Sequence, residues 1–239
     1  RKGQIIVTTN NLNIADYNHT DFQAMAWQIG KKVGDRIPVF VDLPHDIDIQ
    51  NLKAILYTVT VTGAVGLVHF VGITPEAPTI EAACGGDAGS LETVSVTQKD
   101  VDQAYRDISS ATDEKVDLVI FGCPQCSIQE IGEVAQFLEG KKIHAETQLW
   151  ICTSSWVKTL CKRMGYLDKI QEAGGRIVAD IGAADGPHIY LKEQGVRVLA
   201  INSARGSYYS HNLFGMGTWF GSTQACVQAA VSGRWRGYK

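Results

Sequence analysis

Short apolar runs alternate along this chain with longer stretches whose apolar residues recur every three or four positions, and that alternation predicts strands separated by helices. The runs QIIVTT (4–9), PVFVDL (38–43), AVGLVHFV (64–71), ETVSV (92–96), VDLVIF (116–121), TQLWIC (147–152), RIVAD (176–180) and VRVLAI (196–201) read as the strands. Several are unbroken and rich in β-branched residues, as expected of strands covered on both faces. The fold predicted is therefore α/β, a mostly parallel sheet flanked by helices.

Helix starts carry their own chemistry. Thr97 and Asp100 predict a capped helix running through Ile108, and Ser127 with Glu130 forms a capping box for a helix through Leu138. Ser154 or Ser155 can cap a helix through Met164, and Ser222 one through Val231, with Gly165, Gly174 and Gly233 as stops. The glycine-rich loop 85–89 is a candidate boundary that reads better as a loop. No internal repeat or low-complexity segment interrupts the pattern.

Composition narrows the function. The 239 residues are enough for a sizeable core, and a net charge of −3, from 22 Lys and Arg against 25 Asp and Glu, gives no electrostatic case for nucleic acid or an anionic membrane. No apolar run approaches the ~20 residues of a membrane span, and the opening RKGQIIVTTN has no signal-peptide core. Six cysteines spread through apolar segments point to reduced thiols and a cytoplasmic setting. Because it opens on Arg1 with strand-like density at once, the chain reads as a processed piece or an excised domain.

The unusual residues follow the strands. GITPEAPT follows Val71, GCPQCS follows Phe121, TSSW follows Cys152, IGAADGPH follows Asp180 and NSARGSYYSH follows Ile201. In an open parallel sheet the carboxyl ends of the strands share one edge, where ligands bind. A single crevice containing Glu76, Cys123, Ser154, Asp180, Asp185, His188, Asn202, Ser203 and Arg205 is therefore expected. Helices opening near Ser127 and Ser155 would aim backbone N–H groups into it, which suits a carboxylate or phosphate. Arg205, alone among small residues, suits bidentate recognition of the same groups. The bland readings are packing for Cys84, Cys152, Cys161 and Cys226, a hydrogen-bonded core imidazole for His69, and a loop-ordering carboxylate for Asp180.

Cys123 and Cys126 form a Cys-x-x-Cys at a strand-to-helix junction. A redox dithiol, half a zinc site and an iron site assembled from several loops are all open readings. The run of strands exceeds a thioredoxin unit, and no second Cys-x-x-Cys completes a zinc tetrad.

Taken in order, HFVGITPEAPT, VDLVIFGCPQCSIQEI, LWICTSSWVKTLCKRMGYLDKIQEAGGRIVAD, INSARGSYYSHNLFGMGTWFGS and CVQAAVSGRW resemble the C-terminal part of the aconitase X family, over about residues 42–235. The resemblance sets residues 1–41 apart as the remainder of a preceding domain or an edge of the sheet, and 42–239 as the catalytic α/β domain. It implies a hydro-lyase that removes water from a small hydroxylated carboxylate such as cis-3-hydroxy-L-proline, or from phosphomevalonate. An iron or iron–sulfur centre and a small swivelling subunit or N-terminal part are implied with it. Carried onto this chain, the motifs make Cys123 a metal ligand, with Cys126 as a further candidate. Asn202, Arg205, Ser154, Ser155 and Thr74 become substrate-binding groups, and Ser203, Glu76 and Asp180 catalytic ones. Two departures stand out. Gly182 occupies the position where the family carries a ligand cysteine, and Arg205 replaces a lysine, removing an amine that titrates readily. With Gly182 in place, a non-catalytic binding or assembly subunit is the competing expectation.

Overall fold

The computed structural model describes residues 1–184 and 188–238. Every strand pairs in parallel with its neighbours, but in two sheets rather than one. The chain divides into two compact units between Ala104 and Tyr105.

The first unit runs β1 (Ile5–Thr8), α1 (His19–Val33), β2 (Pro38–Phe40), α2 (Ile49–Gly63), β3 (His69–Phe70), α3 (Ile80–Cys84) and β4 (Thr93–Ser95), with α4 (Gln98–Ile108) crossing the boundary. Its sheet has the order β3-β2-β1-β4. Both strands from residues 1–41 are thus integral to it, and β1 lies between β2 and β4. Asn18 and Asp21 close a capping box on α1. α1 and α2 approach closely at Gly30, where a Cβ would stand 2.0 Å from the Thr62 hydroxyl. The strand expected over 64–71 contracts to His69–Phe70, because Ala64 takes a left-handed conformation (φ 55°) that ends α2. Residues 65–68 then run as a loop.

The second unit continues with β5 (Leu118–Phe121), α5 (Ile128–Phe137), β6 (Gln148–Thr153), α6 (Ser155–Arg163), α7 (Tyr166–Ala173), β7 (Arg176–Ala179), α8 (His188–Glu193), β8 (Val198–Ile201), α9 (Ala204–Phe214), β9 (Gly217–Phe220) and α10 (Thr223–Ser232). Strand order is β7-β6-β5-β8-β9. All four β5 residues are fully buried, and the pleat sends them alternately to two cores. Val119, Phe121, Leu149 and Ile151 pack with α5, α7 and α10 on one face. Leu118, Ile120, Trp150 and Cys152 face Leu191 of α8 and Tyr209 of α9 on the other. The capped starts at Thr97, Ser127, Ser154 and Ser222 are all present.

Two sheets correct the expectation of one shared edge. β5 pairs with β6 and β8, and none of β1 to β4 joins it. Loops leaving the first four strands therefore end at one edge and those leaving the last five at another.

Candidate active site at the carboxyl edge of the second sheet

Strand order locates the site within the second unit. From β5 the chain goes to α5 on one face of the sheet, and from β8 it goes to α9 on the opposite face. Ligand crevices in open parallel sheets form where neighbouring connections part in this way. The two segments bordering that point are Gly122–Ser127 and Asn202–Arg205.

Ser203 joins them. Its hydroxyl accepts from the Gly206 backbone N–H at 3.0 Å, capping α9, and donates to the Cys123 carbonyl. The β5 turn itself depends on Gly122, whose φ is 108° and where a Cβ would meet the Cys152 carbonyl at 2.2 Å. Only glycine gives both that conformation and that approach. After the cis Cys123–Pro124 bond, the Cys126 N–H donates to the Cys152 carbonyl at 2.9 Å. Thr153 Oγ1 in turn donates to the Cys126 carbonyl at 2.6 Å.

The β7 exit is stitched onto the same loop. Ala183 N–H donates to the Gly122 carbonyl at 2.9 Å, and Gln125 Nε2 to the Ile181 carbonyl at 3.2 Å. Gly182, between those anchors, thus lies alongside the Cys123 loop. Asp180 has a φ of 62°, which aspartate tolerates better than most residues. Its carboxylate accepts the Ser155 N–H at 2.9 Å, at the first turn of α6. Ser154 caps that helix through the Val157 N–H. Beside it Trp156 is 85% exposed. Arg205, half-buried in the first turn of α9, holds its guanidinium 5.6 Å from the centre of the Tyr209 ring, a cation–π arrangement.

The two cysteines of the motif diverge. Cys126 packs in the core with α5, α7 and α10. Cys123 packs in the other, together with Cys152. Burial pushes the Cys152 thiol up to about 12, and the neighbouring Cys123 adds to the rise. Two soft donors thus share one side of the β5–β6 turn, a pairing hidden in sequence because Cys152 reads as strand packing.

An iron centre needs more than that. Among the described residues no three His, Cys, Asp or Glu side chains converge as metal ligands. Gly182 offers no side-chain donor and Cys126 faces the opposite core. The described residues therefore do not complete an iron site by themselves.

Other expected residues have settings of their own. Thr74 and Glu76 follow β3 in the first unit, where Thr74 Oγ1 donates to the Phe70 carbonyl at 3.1 Å and Glu76 Oε1 stands 3.6 Å from His69 Nδ1. His188 is buried, 3.0 Å from Ser210 Oγ and stacked on Phe214. Asp185 lies outside the described residues. A group with no sequence signal joins the edge: Glu133 of α5, whose carboxyl is pushed up by burial, accepts from Thr223 Oγ1 at 3.5 Å, and Thr223 accepts from Asn202 Nδ2 at 3.3 Å.

Comparison with known proteins matches this architecture unit by unit. Residues 3–106 match the model of the aconitase X second domain, and 116–232 that of the aconitase X third domain. The phosphomevalonate dehydratase large subunit of Methanothermobacter thermautotrophicus is 34% identical over 197 residues, 82% of this chain and 46% of that protein. The cis-3-hydroxy-L-proline dehydratase of Pseudomonas aeruginosa is 30% identical over 237 residues, 98% of this chain and 40% of that protein. The crystal structure of Thermococcus kodakaraensis aconitase X in its holo-form superposes with a TM-score of 0.81 at 26% identity, covering 96% of this chain and 55% of that one. The chain thus spans less than half the length of the two curated relatives. Both units and the order of their motifs agree with these matches, and the chain belongs to the aconitase X family, of which it carries the second and third domains.

Proposed function

We propose that this chain is the catalytic part of a cytoplasmic hydro-lyase that eliminates water from a small hydroxylated carboxylate, cis-3-hydroxy-L-proline or a close analogue. The observation that carries the reading is the Ser203 hydroxyl, which ties the Cys123 loop to the Asn202–Arg205 segment at the parting of α5 and α9. Support for the substrate comes from the match to the Pseudomonas enzyme, which runs along 98% of the chain. Six free cysteines accord with a reducing compartment, and among the described residues no helix is long and apolar enough to cross a membrane.

Elimination takes a proton from the carbon beside the carboxylate and the hydroxyl from the next. Arg205 binds the carboxylate in this proposal, with the side chains of Ser154, Ser155 and Asn202 as hydrogen-bonding partners. Ser203 is the proposed catalytic hydroxyl at this edge, its Oγ held by the Gly206 N–H and the Cys123 carbonyl. Asp180 assists and orders the α6 turn. Thr74 and Glu76 belong to the first unit and take substrate-binding and acid–base roles there. Cys123 is the metal ligand, Cys126 the weaker candidate for one, and the remaining donors of an iron or iron–sulfur centre come from outside the described residues. A small swivelling subunit is the proposed partner, on the strength of the name "large subunit" borne by the Methanothermobacter relative.

Phosphomevalonate is the second reading, favoured by the 34% identity to that same relative. Gly182 favours a third, a binding or assembly subunit without chemistry. Anaerobic iron–sulfide reconstitution with metal analysis, with and without a cognate small subunit, tests the proposal. Iron retained by wild type and lost in Cys123→Ala, together with dehydration of cis-3-hydroxyproline, supports it. Equal and negligible iron in both proteins under both conditions would sink the metalloenzyme. Turnover of phosphomevalonate alone selects the second reading.

A further inference from the structure

Glu133 lies on α5, against which α6 and α7, both carrying charged residues, pack as well as α10. α10, which packs against α5, has no charged residue in Thr223–Ser232. The residue as a whole is exposed, yet its carboxyl is pushed up by burial, against the lowering effect of the Thr223 hydrogen bond, and Glu130 one turn earlier adds to the rise. The desolvated end is the end turned to Thr223, which is itself buried.

The direction of the hydrogen bonds then follows from the groups. A carboxylate only accepts, so the Thr223 hydroxyl gives its proton to Glu133 Oε2 at 3.5 Å. With its proton committed, the hydroxyl turns a lone pair to Asn202 and accepts from Nδ2 at 3.3 Å. An amide whose nitrogen is fixed toward α10 has its Oδ1 fixed on the other side. Without an acceptor-only group at 133 the hydroxyl could donate to Oδ1 instead, and the amide could turn over. At 3.5 and 3.3 Å both contacts are longer than ordinary hydrogen bonds, as catalytic contacts often are before ligand arrives.

We infer that Glu133 is a positioning residue that sets, through the Thr223 hydroxyl, which end of the Asn202 amide is presented at the carboxyl edge of the second sheet. The functional consequence rests on the proposed hydro-lyase reading, whereas the amide orientation does not.

Two measurements keep these apart. In 15N-resolved spectra of the chain, the Asn202 side-chain amide signals are identified by their loss in Asn202→Ala. They are expected to shift in Glu133→Gln and Thr223→Val, to shift no further in the double variant, and to stay near the wild-type position in Thr223→Ser. The inference fails if Glu133→Gln leaves these signals unmoved, or if the two single effects simply add. In an active dehydratase containing this chain, Glu133→Gln is expected to lower kcat by on the order of tenfold to a hundredfold, with Thr223→Ser close to wild type. Unchanged kcat in Glu133→Gln overturns the catalytic half of the inference. Amide shifts as expected in a chain that dehydrates nothing uphold the orientation and count against the hydro-lyase instead.

Discussion

Replacing Ser203 by alanine removes two hydrogen bonds made by one hydroxyl. The bond from the Gly206 N–H, at 3.0 Å, is an ordinary helix cap, and losing such a cap costs about 1 kcal/mol. The bond to the Cys123 carbonyl is different, because Ser203 is only 2% exposed and Cys123 5%. Taking the donor from a buried acceptor costs about 1–3 kcal/mol more, so Ser203→Ala should lose about 2–4 kcal/mol in all. Ser222 supplies the control. It caps α10 through the Ala225 N–H at 3.1 Å, its side chain bridges no second loop among the described residues, and Ser222→Ala should cost about 1 kcal/mol. Urea unfolding followed by tryptophan fluorescence suits the comparison, since four of the five tryptophans (150, 156, 219 and 235) lie in the second unit. The difference between the variants is the quantity of interest. If Ser203→Ala loses no more than Ser222→Ala, the hydroxyl does not hold the Cys123 loop to α9, and the central tie of the proposed site is gone.

Four further outcomes are expected. Gly122→Ala should cost at least about 3 kcal/mol, from a strained positive φ and the collision with the Cys152 carbonyl, and a melting temperature close to wild type would contradict it. A disulfide reagent at mildly alkaline pH should titrate far fewer than the six buried thiols until denaturant is added, with Cys152, raised to about 12, among the last. The raised Glu133 carboxyl binds its proton more tightly in the folded chain than in the unfolded one. Its contribution to stability therefore falls as pH rises from the ordinary carboxylate value through the raised one, and Glu133→Gln should flatten that part of the urea-midpoint profile. Gly182→Cys sets a third thiol alongside the Cys123 loop and should raise cadmium uptake, read from thiolate-to-metal absorption, whereas unchanged absorption would place residue 182 away from Cys123 and Cys152.

The strands of the second unit were legible where burial on both faces makes the sequence continuous, as in Leu118–Phe121, all fully buried. β9 was not, because GTWF mixes a glycine, a threonine and two aromatics in a run of four. α9 hides for a related reason: ARGSYYSHNLF buries Ala204, Gly206, Ser207 and Ser210, small residues that carry no apolar stripe. Separation into two sheets depends on which strand pairs with which, a non-local choice that periodicity does not encode. Within the site, a motif identified Cys123, Asn202 and Ser203. Cys152 looked like strand packing and Glu133 carried no signal, and only the approach of β6 to β5 and of α10 to α5 gives them their neighbours.

Trp156 makes the second sheet's edge optically readable. The residue is 85% exposed, whereas Trp27 and Trp235 are 6% and 5% exposed. Acrylamide in solution will quench its emission ahead of theirs. Trp156 follows Ser155, whose N–H is held by Asp180, so a ligand that covers the α6 turn and reaches its indole is expected to shield this fluorophore from collisions. The wild-type chain thus carries its own reporter, one that needs no label and can rank candidate carboxylates or phosphates before any turnover is sought.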